Sequence, residues 1–185
     1  MPRRSRDRSE YLRITQHERD RNIPGLIGDL ASGDELIRAH AARALVSLRA
    51  KEAAPHIAKL AEDPVDTVRM SAYLRLGELK ARDFTPLLVS GLHDPVPVVR
   101  MGAAHGLWDM RDTSAIPALR DALMTEQDRD VRFRLAYALV TLRDTDVLKQ
   151  LPDVLREQGW RKRHFNPKWK ELKQAADAQA LPPTF

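Results

Sequence analysis

The sequence predicts an all-α fold in which short pairs of helices stack into an α-solenoid. Three observations predict this fold: a proline returns every 31 residues, an arginine follows each proline at a nearly constant distance, and apolar columns keep step with the arginine. A fixed internal period is the signature of a repeat architecture. The prolines are Pro24, Pro55, Pro86 and Pro117, and the arginines are Arg38, Arg69, Arg100 and Arg132.

Each repeat unit is predicted to contain two helices. The proline favours the first turn of the first helix, where its missing N–H costs nothing. A breaker such as Asp63-Pro64 ends that helix, and the second helix begins near the arginine. Positions three, seven and ten residues after the arginine share one buried face, as Ala72, Leu76 and Leu79 do in the second unit. The units are predicted at about 22–52, 53–82, 83–113 and 114–146, with the start of a fifth at 151–154.

The two ends of the chain are predicted to cap this array. Residues 1–21 carry a net charge of +3 and residues 156–185 carry +4, whereas residues 22–155 carry −2. A polar helix within 9–21 and another within 168–180 would cover the terminal units, as a solenoid requires. Because the basicity belongs to the ends, the bulk of the fold offers no net attraction for phosphate.

Several classes of protein are disfavoured by composition. The chain has no cysteine, so disulfides, thiolate zinc sites and cysteine nucleophiles are excluded. No apolar run reaches the 18 residues that a membrane span needs, and the first 15 residues lack the apolar stretch of a secretory leader. We therefore expect an intracellular, cytoplasmic protein that makes no contact with a membrane.

The repeat pattern resembles a known family. The motif Val-Arg-x-x-Ala-x-x-x-Leu after an Asp-Pro turn occurs at Val68, Arg69, Ala72 and Leu76, and again at 99–107. It is similar to HEAT-like repeats, in particular to the short variety shared with phycobilin lyases. The resemblance implies a right-handed superhelix of the armadillo and HEAT type, with the second helices on the concave surface. It is specific for fold and poor for function, because such arrays serve unrelated tasks.

The sequence contains no recognisable catalytic constellation. Neither a Gly-x-Ser-x-Gly motif nor a glycine-rich phosphate loop occurs. HEAT-like deoxyhypusine hydroxylases hold two irons with repeated His-Glu pairs, whereas the one such pair here, His17-Glu18, lies outside the repeats. We therefore predict a non-enzymatic protein with no metal and no cofactor. The resemblance leaves a phycobilin-lyase-like or other accessory role as an alternative.

The repeated arginines predict a ladder along the stack. Asp63 stands six residues before Arg69, and Asp94 stands six residues before Arg100. We expect each pair to bridge the turn within its own unit, while the arginine also donates to carbonyls of the next loop. The structural ladder would comprise Arg38, Arg69, Arg100 and Arg132. The alternative is that these arginines hold an anionic ligand.

The second helices carry apolar residues where polar ones are expected. Offsets of one, five and eight residues from the arginine project at about 80° to 140°, far from the buried stripe near about 310°. The residues there predict a binding groove: Met70, Leu74, Met101, His105, Trp108, Phe133, Tyr137 and also Val140. Arg43, Arg75, Asp109 and Arg134 would form its rim. The alternative is that curvature or a docked terminal helix buries these residues.

Two functions follow as hypotheses. The first is a scaffold or adaptor that grips an extended or helical protein segment in this groove. The second is nucleic-acid binding by the C-terminal segment, whose cations and rings suit phosphate attraction and base stacking. Its candidate contacts are Trp160, Arg161, Lys162, Arg163, Lys168, Trp169 and Lys170. The competing interpretation is a structural cap in which those rings pack on the last repeat. The pattern carries no signal on oligomeric state or on which protein is bound.

Overall fold

The computed structural model describes residues 8–142 and residue 144. Within this part of the chain all regular structure is helical, which confirms the predicted all-α class. The α-helices are Arg8–Arg19 (α1), Ile23–Asp29 (α2), Glu35–Ser47 (α3), Ala54–Ala58 (α4), Asp66–Glu78 (α5), Thr85–Gly91 (α6), Pro97–Met110 (α7), Ile116–Thr125 (α8) and Arg129–Thr141 (α9). Short 3-10 turns flank the first helices at Lys51–Ala53, Lys59–Glu62, Arg82–Phe84 and Thr113–Ala115.

The repeated prolines lie where the sequence predicted. Each stands in the first turn of a first helix, namely α2, α4, α6 or α8. The second helices are α3, α5, α7 and α9. The first and last of these begin at an aspartate, Asp34 and Asp128, whose carboxylate accepts a backbone N–H two residues further on.

The predicted apolar columns form the core. The leucine seven residues after each arginine is fully buried, and the opposite wall is built from one buried aliphatic residue of each first helix. Neither row can be buried by one helical pair alone, so the stacking of successive units holds the fold together. The leucines are Leu45, Leu76, Leu107 and Leu139, and the residues facing them are Leu26, Ile57, Leu88 and Leu119.

Helix α1 packs against the first repeat unit. Ile14 is buried, and it precedes Leu45 by 31 residues, so it extends the leucine column by one step. Asp29 of α2 is 5% exposed and binds two side chains of α1, Arg13 through Nη2 at 2.7 Å and His17 through Nδ1 at 3.1 Å. The ring of Tyr11 meets that of His40 edge to face, with centroids 5.3 Å apart. Helix α1 therefore occupies the place of a second helix belonging to a preceding unit.

Helices α5 and α7 approach each other backbone to backbone. A Cβ atom added to Gly77 would lie 2.5 Å from the Cα atom of Gly106. A Cβ atom on Gly106 would overlap the carbonyl oxygen of Tyr73. Likewise, one on Gly102 would lie 2.8 Å from Cγ of Met70. Glycine is required here because no side chain fits between the two helices.

Three second helices end at a basic residue in the left-handed conformation. Arg49, Lys80 and Arg111 have φ values of 56°, 56° and 52° and are spaced 31 residues apart. Glycine is the usual residue at such a position, because a Cβ atom crowds the following carbonyl. A positive charge at the negative end of a helix dipole offsets part of that cost.

Replacing Arg111 with glycine is expected to raise the free energy of unfolding by about 1 kcal/mol, because the strain of the left-handed conformation is relieved. Urea denaturation of the purified protein measures the change. Arg111→Ala is the matched control, since it removes the charge and keeps the strain. Equal stability of the two variants would contradict the explanation.

No helix within residues 8–142 is both long and apolar enough to cross a bilayer.

Candidate binding surface

The ladder arginines bind forward, into the next repeat unit. Arg38 donates through Nε and Nη2 to both carboxylate oxygens of Asp63, at 2.7 and 2.8 Å. Arg69 binds Asp94 in the same way at 2.9 and 3.1 Å. The third rung joins Arg100 to Glu126 at 2.7 and 2.8 Å. Each rung is thus a bidentate ion pair that ties one unit to its successor.

The predicted pairing within one turn is therefore wrong. Nη1 of Arg69 donates to the backbone carbonyl of Asp63, at 3.0 Å, and not to its carboxylate. The reason lies in the turn itself, where one oxygen of Asp63 also accepts the N–H of Val65 at 2.9 Å. That bond holds the carboxylate towards the preceding second helix, within reach of Arg38.

The inserted residue of the fourth unit changes the third rung. The carboxylate there lies 26 residues after its arginine, one more than in the first two rungs, and it belongs to glutamate. One oxygen of Glu126 also accepts the N–H of Gln127 at 2.9 Å and that of Asp128 at 2.8 Å. The longer side chain keeps the bidentate contact in spite of the insertion. The fourth arginine, Arg132, repeats the carbonyl bond, donating to Glu126 at 3.3 Å.

The carboxylates of the ladder are held in their charged form. Burial alone would raise the pKa of Asp63, but hydrogen bonds from Arg38 and from the N–H of Val65 outweigh it, so the pKa lies below its usual value. The same balance lowers the pKa of Asp94 and of Glu126. These groups therefore stabilise the fold as anions. Arg38, Arg69 and Arg100 already hold a carboxylate of the chain.

The predicted groove residues lie on the second helices α5, α7 and α9, and their side chains are half-buried. Ring contacts join most of the aromatic ones. Trp108 meets Tyr137 edge to face with centroids 5.1 Å apart, and His105 and Phe133 extend the group at 4.9 Å from Trp108 and 6.3 Å from Tyr137. We call the set of Met70, Leu74, Met101, His105, Trp108, Phe133 and Tyr137 the strip.

The strip is narrower than predicted. Val140, which stands at the eighth offset of the fourth unit, is 5% exposed. Gly77, at the same offset of the second unit, is buried against Gly106. Gly77 is covered because α7 lies against it at this point of the stack. At the eighth offset a half-exposed side chain is left at Trp108 and, in the first unit, at Val46.

The four predicted rim residues differ in their surroundings. Arg43 is exposed, and Arg75 donates to Glu78 through Nη1 at 2.6 Å. Asp109 lies 3.6 Å from Nε2 of His105. The guanidinium carbon of Arg134 lies 6.0 Å from the ring centroid of Tyr137, and burial lowers the pKa of this arginine despite opposing effects of Tyr137 and Asp109.

Sequence reasoning missed three ionic contacts. Glu126 was not identified as a ladder carboxylate, although it follows the spacing of 25 to 26 residues. Asp29 was not recognised as the residue that binds α1. A signal was present, because the position five residues after the proline is aspartate in the first unit and apolar or glycine in the other three. Arg120 pairs with Asp144, which occupies the same repeat position as Asp112, twelve residues after the arginine of its unit.

The candidate nucleic-acid contacts lie outside the described residues, so that hypothesis stays a prediction. They are Trp160, Arg161, Lys162, Arg163, Lys168, Trp169 and Lys170. The predicted start of a fifth unit and the C-terminal cap also lie outside residues 8–142 and 144. Within those residues no group of three or more His, Asp or Glu side chains is arranged to hold a metal ion.

The stacked helix pairs, the forward ladder and the strip define an α-solenoid repeat protein. A family model described as HEAT repeats matches residues 23–108 and 85–164, which is most of the chain. The protein belongs to the HEAT repeat family. No curated protein matches it significantly in sequence.

Two solved structures share the fold. One is a chain from the complex of CpcE and CpcF of phycocyanin lyase from Nostoc sp. PCC7120, with a TM-score of 0.62 and 22% identity over 94% of this chain and 71% of that one. The other is an engineered protein, with a TM-score of 0.56 and 21% identity over 88% of this chain and 81% of that one. At these identities both similarities show a shared fold. The match to the phycocyanin lyase chain, together with the family match, confirms the expected resemblance to the HEAT-like repeats of phycobilin lyases.

Proposed function

We propose that the protein is a non-enzymatic scaffold that binds a segment of another protein along the strip. The observation that carries the proposal is the ring cluster of Trp108, Tyr137, His105 and Phe133 on the face of the second helices. Tryptophan, tyrosine and methionine are enriched in protein interfaces, and tryptophan and tyrosine often supply most of the binding energy.

The chemistry of the strip suits contact better than catalysis. Thioethers, an aliphatic chain and aromatic rings offer adaptable, polarisable surface for a partner. The strip also crosses three successive units, so a segment laid across the second helices would contact each of them in turn. A protein partner is further supported by the similar chain, which was solved as part of a complex of two proteins.

Replacing both Trp108 and Tyr137 with alanine is expected to lower the affinity for the native partner at least about tenfold, since each ring is placed as an anchor. Cross-linking in the source cell, followed by mass spectrometry, identifies the partner, and titration with the purified partner measures the affinity.

The matched control replaces Leu12 and Met124, which are exposed and lie outside the strip, with alanine. Circular dichroism melting establishes that both double variants remain folded. Undiminished affinity in a folded Trp108→Ala, Tyr137→Ala protein would overturn the proposal.

A further inference from the structure

Arg132 stands at the ladder position of the fourth unit, yet it pairs with no carboxylate among the described residues. Like the three other ladder arginines, it donates through Nη1 to the backbone carbonyl six residues before it, here that of Glu126. In those three units Nε and Nη2 hold a carboxylate of the next unit, whereas Nε of Arg132 is buried and meets no acceptor in the described part of the chain. Arg75 and Arg134 also have an unbonded Nε, but neither lies in the ladder column. Arg132 is therefore half of a rung.

The side of α9 that points away from α7 is covered, although α9 is the last helix of the described part. On α5 this side carries Tyr73 and Gly77, four and eight residues after the arginine, and both lie against Gly106 of α7. The equivalent residues of α9, Ala136 and Val140, are 2% and 5% exposed. Side chains buried to this degree have neighbours on several sides. This burial indicates that the stack continues beyond α9.

Asp144 marks the place where a fifth unit would begin. It stands 32 residues after Asp112, at the same position of the repeat. Each of these aspartates accepts a hydrogen bond from a side chain of the preceding first helix, Asp112 from Thr85 of α6 and Asp144 from Arg120 of α8. The chain beyond residue 144 therefore starts beside α8 just as the fourth unit starts beside α6.

The sequence after Asp144 repeats the apolar pattern of a first helix. Counted 32 residues on, the apolar positions Ala115, Ile116, Leu119, Ala122 and Leu123 of the fourth unit become Val147, Leu148, Leu151, Val154 and Leu155. This register puts Pro152 inside the helix rather than at its start. Pro152 then corresponds to Ala58, at which α4 ends and a 3-10 turn follows, so this fold already accommodates a break at that point.

Glu157 follows this apolar pattern at the position of the ladder acid. It stands 25 residues after Arg132, which is the separation found in the first two rungs. It also stands six residues before another arginine, Arg163, as each ladder acid does. The second match of the HEAT family model, 85–164, includes both residues. We propose that the carboxylate of Glu157 binds Arg132 as a fourth rung, which fastens the C-terminal part of the chain to the last described unit.

The test is a double-mutant cycle on the full chain, with Arg132→Ala, Glu157→Ala and both changes combined. Each single change is expected to lower the urea midpoint, because the bidentate pair is lost. Once one partner is gone, removing the other costs little, so a coupling of at least about tenfold in the equilibrium constant of unfolding is expected.

Asp153→Ala is the matched control for Glu157→Ala. It removes an acid of the same segment, at the repeat position of the exposed Ser90, and its effect is expected to add to that of Arg132→Ala. If Glu157→Ala and Arg132→Ala combine additively as well, the fourth rung is overturned.

Cross-linking tests the same contact without relying on a change in stability. Arg132→Lys places an amine at the ladder position, and a carbodiimide then joins it to a carboxylate with which it is in contact. Mass spectrometry is expected to find a link between positions 132 and 157 that Glu157→Gln abolishes. An equal mixture of unlabelled and isotope-labelled chains is expected to show that the link lies within one chain. A link between two copies, or none between these positions, would overturn the proposal.

Discussion

Replacing Asp63 with alanine is expected to lower the free energy of unfolding by about 3–5 kcal/mol, because it leaves a buried cation without its partner. Asp63 and Arg38 are 8% and 9% exposed, and the carboxylate receives both Nε and Nη2 of the arginine. The same carboxylate accepts the N–H of Val65 at the start of the second helix. Urea denaturation at neutral pH measures the loss.

The matched control is Asp66→Ala, which removes an aspartate from the same turn whose side chain bonds only the neighbouring N–H of Thr67. A second control, Arg38→Met combined with Asp63→Leu, removes both charges and is expected to recover most of the stability. If Asp63→Ala costs no more than Asp66→Ala, the rung contributes nothing to the fold.

Lowering the pH provides an independent test of the ion pair between Arg38 and Asp63. The pKa of Asp63 is lower in the folded protein than in the unfolded chain. Its contribution is therefore complete above the unfolded value, about 3.9, and is lost as the pH falls through the folded value. The difference between the unmodified protein and the Asp63→Ala variant is expected to narrow over that acid range. A constant difference at all pH values would mean that charge is not responsible.

Replacing Leu107 with alanine is expected to cost roughly 2–5 kcal/mol, because it opens a cavity in the middle of the stack. Leu107 is fully buried in α7, the second helix that packs on both α5 and α9. A cavity there weakens the core of the third unit and its contacts with both neighbours. Denaturant unfolding is expected to show a lower midpoint with an unchanged slope.

Leu12→Ala is the matched control for this cavity. Leu12 is 61% exposed on α1, so its removal is expected to change the stability by no more than about 0.5 kcal/mol. A loss at Leu107 as small as that at Leu12 would contradict the assignment of Leu107 to the core of the stack.

The repeated columns could be predicted because the same residue type recurs at the same position in several units. Proline at the first turn and leucine seven residues after the arginine obey rules local to one helix, and four copies reinforce them. The direction of the ladder could not be predicted in the same way. Asp63 is six residues from Arg69 in sequence and 25 residues from Arg38. Its carboxylate nevertheless binds Arg38, because the stacking of units brings these two side chains together.

The limits of the strip depended on packing as well. Periodicity placed Trp108, Val140 and Gly77 at one angle on their helices, but Val140 and Gly77 are buried, Gly77 against α7, whereas Trp108 is half-exposed. The angle of a residue on its own helix does not give the distance to the adjacent helix. Between α5 and α7 glycine shortens that distance.

The forward ladder makes the ion-pair junctions of the middle units interchangeable. Such a unit carries an acid that serves the arginine before it and an arginine that serves the acid after it. A duplicated unit would therefore arrive with both halves of its ion-pair junctions, so the ladder would continue through it without any new charged residue. Arrays of this kind can lengthen or shorten by whole units during evolution, and the strip would change its length while the ion pairs between units are kept.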